Sequence, residues 1–437
     1  MKNVLGALAT AAALLLSARS GAQTTLTIAT VNNADMIRMQ ALTSDFVAKN
    51  PGIALRWVTF EENVLRQRVT TDIATRGGQF DIVTIGTYEV PIWAKRNWLV
   101  PLANLGTGYD APDIIPNIRN AVSVSGTLYA APFYGESSMT MYRTDLFRKA
   151  GLTMPKSPTW DFVIDAAQKL TDKAAGVYGI CLRGKAGWGE NTALLTAMAD
   201  SFGARWFNGN WEPQFDTPQW QRTLSTYVNL LKEAGPPGAS ANGFNENLAL
   251  FSDGKCAIWI DATVAASFLN NPQDSRVAGK VGFALAPNAG LGKSASWLWA
   301  WNLAIPAASK NIGAAEKFIA WATSKSYIEL VAEKDGWEDV PPGTRLSLYE
   351  NPDYLRVAPF AKLTLASISA ADPTHPTVTP VPYVGVQYVA IPEFQGLGTT
   401  VGQYFSAALS GSMTVRAALA AAQESAEREM QLAGYLH

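Results

Sequence analysis

Residues 26–60 read LTIATVNNADMIRMQALTSDFVAKNPGIALRWVTF, and their pattern decides the fold class. The apolar run LTIATV (26–31) reads as a strand. Polar Asn32, Asn33 and Asp35 follow it, Asp35 standing where a helix N-cap belongs. Met36, Met39, Thr43, Phe46 and Val47 then recur at helical spacing until the breaker NPG at 50–52, after which IALRWVTF is again β-rich. A further helix from about Glu61 to Thr75 and the apolar strand FDIVTIG (80–86) complete a βαβαβ order. Such alternation implies a parallel sheet with helices on both faces, an α/β architecture.

Downstream, a second region of the same kind begins near MYRTDLFRKAGL (141–152), with GVYGICLRG, CAIWIDA and VGFALAP as strands. The chain has 437 residues. That is more than twice a common domain length, so two α/β lobes are expected. No internal repeat is visible. The Pro-rich stretch 372–392, DPTHPTVTPVPYVGVQYVAIP, carries too many aromatic and β-branched residues for a disordered linker and reads as an ordered, irregular crossing segment.

The first residues have a different chemistry. Lys2, the apolar run Val4–Leu16 and the small residues Ser20-Gly21-Ala22 have the build of a secretory signal peptide cleaved after Ala22. The run is too short to span a bilayer comfortably. Without Lys2 and Arg19 the formal charge goes from -1 to -3. With no Lys/Arg cluster either, a nucleic-acid partner is not expected. An exported chain meets an oxidising compartment, which permits a bond between its two cysteines, Cys181 and Cys256; two buried free thiols are the alternative, and spacing does not decide between them.

Catalytic constellations are scarce. His375 lies among prolines and His437 is the final residue, which leaves His-dependent triads and multi-His metal sites little to work with. There is no G-x-S-x-G elbow. Gly292-Lys293-Ser294 ends like a phosphate loop, but Pro287 stands where that loop needs its first glycine. The adjacent acids Glu61 and Glu62 fit a helix start, where the dipole favours them.

What the chain supplies instead is polar residues beside aromatics at strand ends, where open α/β sheets bind ligands. These are Asn32, Asn33 and Asp35; Tyr88 and Glu89; Tyr134 and Glu136; Arg183 and Trp188; and Asp261. The stretch SASWLWAWNLAIP (294–306) adds Trp297, Trp299 and Trp301 at alternate positions, one face of an extended segment. Carboxylates, amides and a guanidinium can hold hydroxyls by charge-assisted bonds, and indoles and phenols can cover C–H surface.

Together ADMIRMQALTSDFVAKNPGIAL, GGQFDIVTIG, RNWLVPL, MYRTDLFRKAGL, PTWDFVIDAAQKL, ALFSDGKCAIWIDAT and LAIPAASKNIGAAEKFIAWATSK resemble, in order, the landmarks of extracellular solute-binding proteins of the maltose-binding type. The likeness covers essentially the whole mature chain. Within that family, FEENVLRQRVTTDIATRGGQFDIVTIGTYEVPIW, PFYGESSMTMYRTDLF and CLRGKAGWGEN resemble the sorbitol/mannitol-binding branch.

The resemblance implies a periplasmic-binding-protein-like fold: two α/β lobes with a hinge and an interlobe cleft. The expected division is a leader at 1–22, a first lobe at 23–131, a second at 132–302, a return to the first at 303–345, and a helical part of the second lobe with a crossing segment at 346–437. Crossings are expected near Ala130–Phe133 and Leu303–Pro306, with a third in the following hundred residues. It implies a periplasmic, monomeric, cofactor-free receptor, with no catalytic residues and no metal, that captures a sugar alcohol by lobe closure and passes it to ABC permease subunits. The candidate ligand-binding residues are Tyr88, Glu89, Tyr134, Glu136, Arg183, Trp188, Asp261, Trp299 and Trp301. Of the indoles, Trp299 or Trp301 is expected on the ligand, and Trp297 over neighbouring protein. A receptor for a mono- or oligosaccharide, or a secreted carbohydrate-active enzyme, are the alternatives.

Overall fold

In the computed structural model, which describes residues 23–436, the stretch read first forms strands β1 (Thr24–Val31), β2 (Ile53–Phe60) and β3 (Ile82–Gly86). Both β2 and β3 pair in parallel with β1, as the alternation requires. The leader expected at 1–22 lies outside the described residues. Helix Ala34–Ala41 is capped by Asn33, not Asp35: the Asn33 side chain accepts the Met36 N–H, while Asp35 sits in the first turn beside Arg38. Asparagine wins because the N-cap must keep extended backbone while its side chain reaches the third amide.

The remaining strands are the hairpin β4 (Ser123–Val124) and β5 (Thr127–Leu128), then β6 (Ala131–Glu136), β7 (Ser138–Arg143), β8 (Tyr178–Cys181), β9 (Cys256–Ala262), β10 (Val281–Leu285) and β11 (Trp299–Ala304). The first large sheet has the order β2-β1-β3-β11-β6 and the second β10-β7-β9-β8. Each heads one lobe. β11 lies antiparallel to both β3 and β6, and the second sheet is antiparallel except for the β8–β9 pair. The sheets are therefore mixed rather than purely parallel. A strand arriving from the other lobe enters without a helical crossover, so nothing obliges it to run with its neighbours.

This pairing shifts two expected boundaries. Cuts at 131/132 and 302/303 would split β6 and β11, yet both strands belong wholly to the first sheet. The sheets exchange chain at Ser137, between β6 and β7, and again between β10 and β11. A third passage runs along β6: Gly135 N–H donates to Pro342 O (2.9 Å) and Ile115 N–H to Thr344 O (2.8 Å). Gly343 there has φ +77°, and a Cβ on Gly135 or Gly343 would overlap the other's carbonyl oxygen. The passage is possible because both are glycine. Residues 371–393 carry no helix or strand, as expected of the Pro-rich segment.

Cys181 and Cys256 are disulfide-bonded, with Cα atoms 5.9 Å apart on the parallel pair β8 and β9. The free-thiol alternative is thereby removed.

Candidate ligand-binding site

Between the lobes lies a cavity of about 160 Å³. The first lobe contributes Asn32 and Asn33 from the end of β1, Glu62 and Arg66 from helix Glu62–Thr75, Tyr134 and Glu136 from β6, and Trp299 and Trp301 from β11. From the second come Arg183 and Lys185 after β8, Trp188 and Glu190 from the short π-turn Trp188–Thr192, and Asn245 from the start of helix Phe244–Ser252. Strand ends thus meet across the cleft, as open sheets arrange their ligand sites.

All three indoles line this cavity, Trp297 included. Trp297 lies ahead of β11 and lines the same space as Trp299 and Trp301, its ring centroid 5.7 Å from the Arg183 guanidinium carbon. Trp299 lies over Gly86 so closely that any Cβ there would overlap its ring. The Arg66 guanidinium carbon sits 4.0 Å from the Trp188 ring centroid, 5.0 Å from Trp299 and 4.9 Å from Trp301. Such stacking fixes the fork, while the rings also pack edge-on, Trp188 with Trp299 at 5.5 Å and Trp299 with Trp301 at 5.6 Å between centroids.

Each base of the cavity is already matched. Arg66 donates to Glu62 (2.9 Å) and Glu89 (2.9 Å). Arg183 grips Asp261 with Nη2 at 2.6 Å and Nε at 3.0 and 3.1 Å, and reaches Gly189 O at 2.9 Å and Glu190 at 3.5 Å. Lys185 donates to Glu61 across the cleft at 2.6 Å. Another bond between lobes runs from Asn245 Nδ2 to Asn32 O at 3.1 Å.

Tyr134, Glu136, Arg183, Trp188, Trp299 and Trp301 are therefore brought together, while Tyr88, Glu89 and Asp261 are not on the wall. Asp261 stands on the same face of β9 as Trp259, whose indole N–H it accepts at 3.1 Å, and is fully buried behind Arg183. Glu89 turns under the sheet, where Oε2 accepts the Gly86 N–H (2.9 Å) and Oε1 holds Arg66. Tyr88 donates to Ile391 O (2.8 Å) and packs on Trp188, with ring centroids 5.0 Å apart. All three position a group that does face the cavity.

Residues not singled out from sequence are equally informative. Glu62, noted only as a helix-start acid, pairs with Arg66 four residues on, and both line the cavity. Asn33 had been noted only as a strand-end polar group; its Nδ2 donates to Tyr134 Oη at 2.9 Å. The indole nitrogens of Trp188 and Trp297 are buried without a partner among the described residues. A buried N–H of that kind is normally satisfied, and a solute hydroxyl oxygen would satisfy it.

A cavity between two lobes, walled by charged groups and indoles, is the geometry of a protein that binds a small solute. The chain belongs to the bacterial extracellular solute-binding protein family, whose model matches residues 33–329. It is 56% identical, over 100% of both chains, to the mannitol-binding protein of Pseudomonas aeruginosa. It is 69% identical to an ABC transporter solute-binding protein of Agrobacterium vitis solved with bound D-mannitol, with a TM-score of 0.93 over 94% of this chain and 99% of that one. A solute-binding protein of Agrobacterium radiobacter in complex with ribitol is 25% identical, with a TM-score of 0.81 over 93% and 98% of the two chains.

Proposed function

We propose that the protein is the periplasmic receptor of an ABC importer and captures an acyclic hexitol, mannitol or sorbitol, by closing its lobes. The observation that carries this reading is the wall itself. A cavity of about 160 Å³ is small beside the roughly 300–1,000 Å³ of pockets for drug-sized ligands, which favours one small solute over an oligosaccharide. A hexitol bears a hydroxyl on every carbon, and each one buried without a partner costs about 1–3 kcal/mol. Carboxylates accept from those hydroxyls, the spare guanidinium and indole N–H groups donate to them, and the tryptophan faces cover the carbon chain. The related proteins that bind mannitol support the same choice.

Closure follows from a ligand that touches both lobes, because it then binds the closed form better than the open one. The receptor acts as a monomer that presents its closed form to the permease subunits. No bond of the solute is made or broken.

A thermal-shift panel of D-mannitol, sorbitol, pentitols and maltose tests the assignment. A hexitol at about 100 times its Kd should add roughly 2.7 kcal/mol of stability. Mannitol or sorbitol is expected to raise the Tm and maltose to leave it unchanged; a response to maltose alone overturns the reading. Recovery of the solute unchanged after incubation with excess protein separates a receptor from a carbohydrate-active enzyme.

A further inference from the structure

The bases around the cavity are three, Arg66, Arg183 and Lys185, and every one is held by acids. Against them stand Glu61, Glu62, Glu89, Glu190 and Asp261, all in those ion pairs, and Glu246, whose carboxylate accepts the Gly243 N–H. Glu136 alone among the cavity's acids has neither an ion pair nor a hydrogen bond among the described residues. It is 6% exposed and lines the cavity at the last position of β6, next to the crossing at Ser137.

The one counter-charge that faces Glu136, Arg183, makes no ion pair with it and is already held by Asp261. Tyr134 precedes it on β6; Arg183 and Asp261 face it from the second lobe as a closed bidentate pair; Glu62 faces it from helix Glu62–Thr75, already on Arg66; and Asp35 from helix Ala34–Ala41, beside Arg38. Glu190 and Lys185 lie further along the same cavity. An ionised Glu136 would therefore be one more negative charge in a largely buried space that already has a surplus, offset only in part by Arg183.

We propose that Glu136 binds the solute as a neutral carboxylic acid, donating its O–H to a solute hydroxyl oxygen, so that capture of the solute takes up a proton. The inference rests on the hexitol reading above and deepens it. Burial, opposed by Arg183 and reinforced by Asp261, Glu62 and Asp35, pushes the carboxyl up to about 8 in the closed form. In the open cleft, solvated, it returns toward the ordinary carboxylate range and is ionised near neutrality. A group ionised when open and protonated when closed makes affinity rise as pH falls, by up to about tenfold per unit between the two pKa values.

Calorimetric titration of the full mature chain with D-mannitol at pH 7, in buffers of different ionisation enthalpy, reads the proton directly. The expected result is a buffer-dependent heat equal to uptake of about one proton per mannitol bound. Glu136→Gln, which keeps an N–H donor in that place, should lose the buffer dependence and flatten the pH profile of Kd; Glu136→Ala should weaken binding about tenfold or more. A wild-type heat independent of buffer overturns the inference while leaving the receptor intact. Uptake that persists in Glu136→Gln also overturns it and moves the proton to Glu190. No heat with mannitol or sorbitol removes the hexitol reading and this inference together.

Discussion

Asp261 holds a residue of the cavity wall, Arg183, without lining the cavity itself. It is 0% exposed and accepts from Arg183, Trp259 and the Ala262 N–H. Asp261→Ala would strip a buried guanidinium of its main partner, a loss of about 3–5 kcal/mol for a broken buried pair. The urea midpoint of the unliganded protein and the affinity for D-mannitol should fall together; an affinity loss with unchanged stability would instead put Asp261 in contact with the solute. The sequence marked it as polar and at a strand end, and both are true. What it could not mark is the face, because a strand alternates sides and only the fold shows that Phe244 and Phe251 of the preceding helix pack on Trp259, the side that Asp261 shares. Glu136 and Tyr134 were legible for the converse reason: the strand that carries them ends at the cleft.

At the scale of elements, the π-turn Trp188–Thr192 of the second lobe docks on helix Glu62–Thr75 of the first. The contact is tight at Gly189, where a Cβ would overlap Glu62 Oε1 and lie 2.8 Å from Arg66 Nη2. Arg66 cannot give way, being pinned by Glu89 and stacked on Trp188. Gly189→Ala should therefore hinder closure while leaving each lobe's own core untouched. The expected outcome is a Kd for D-mannitol raised about tenfold or more, about 1.4 kcal/mol, with the unliganded unfolding midpoint unchanged; titration and denaturation on the same preparation check both halves. Helix periodicity and breakers made the elements of residues 26–86 readable. The placement of β6 and β11 was not, since a short apolar run pairs equally well in either sheet and only the three-dimensional exchange of chain decides which.

Across the whole molecule, the disulfide ties β8 to β9 on the strands that lead to Arg183 and Asp261, closing a loop with a sequence separation of 75. Replacing both cysteines by alanine should cost about 2–4 kcal/mol. That loss should appear by calorimetry in a second-lobe transition moved to lower temperature, while the transition of the first lobe stays in place; equal shifts of both would show the lobes unfolding as one. The sheet order has a further consequence, for the sequence of events in which the chain becomes a protein. In the first sheet β11 is wedged between β3 and β6. A chain synthesised from its N-terminus has β1, β2, β3 and β6 complete long before the strand that joins them, because the intervening second-lobe residues come before Trp299–Ala304. Until then the edges of β3 and β6 lack their shared partner. Pairing across so long a stretch is slow. The topology thus leaves the first lobe's sheet unfinished until most of the second lobe has been made.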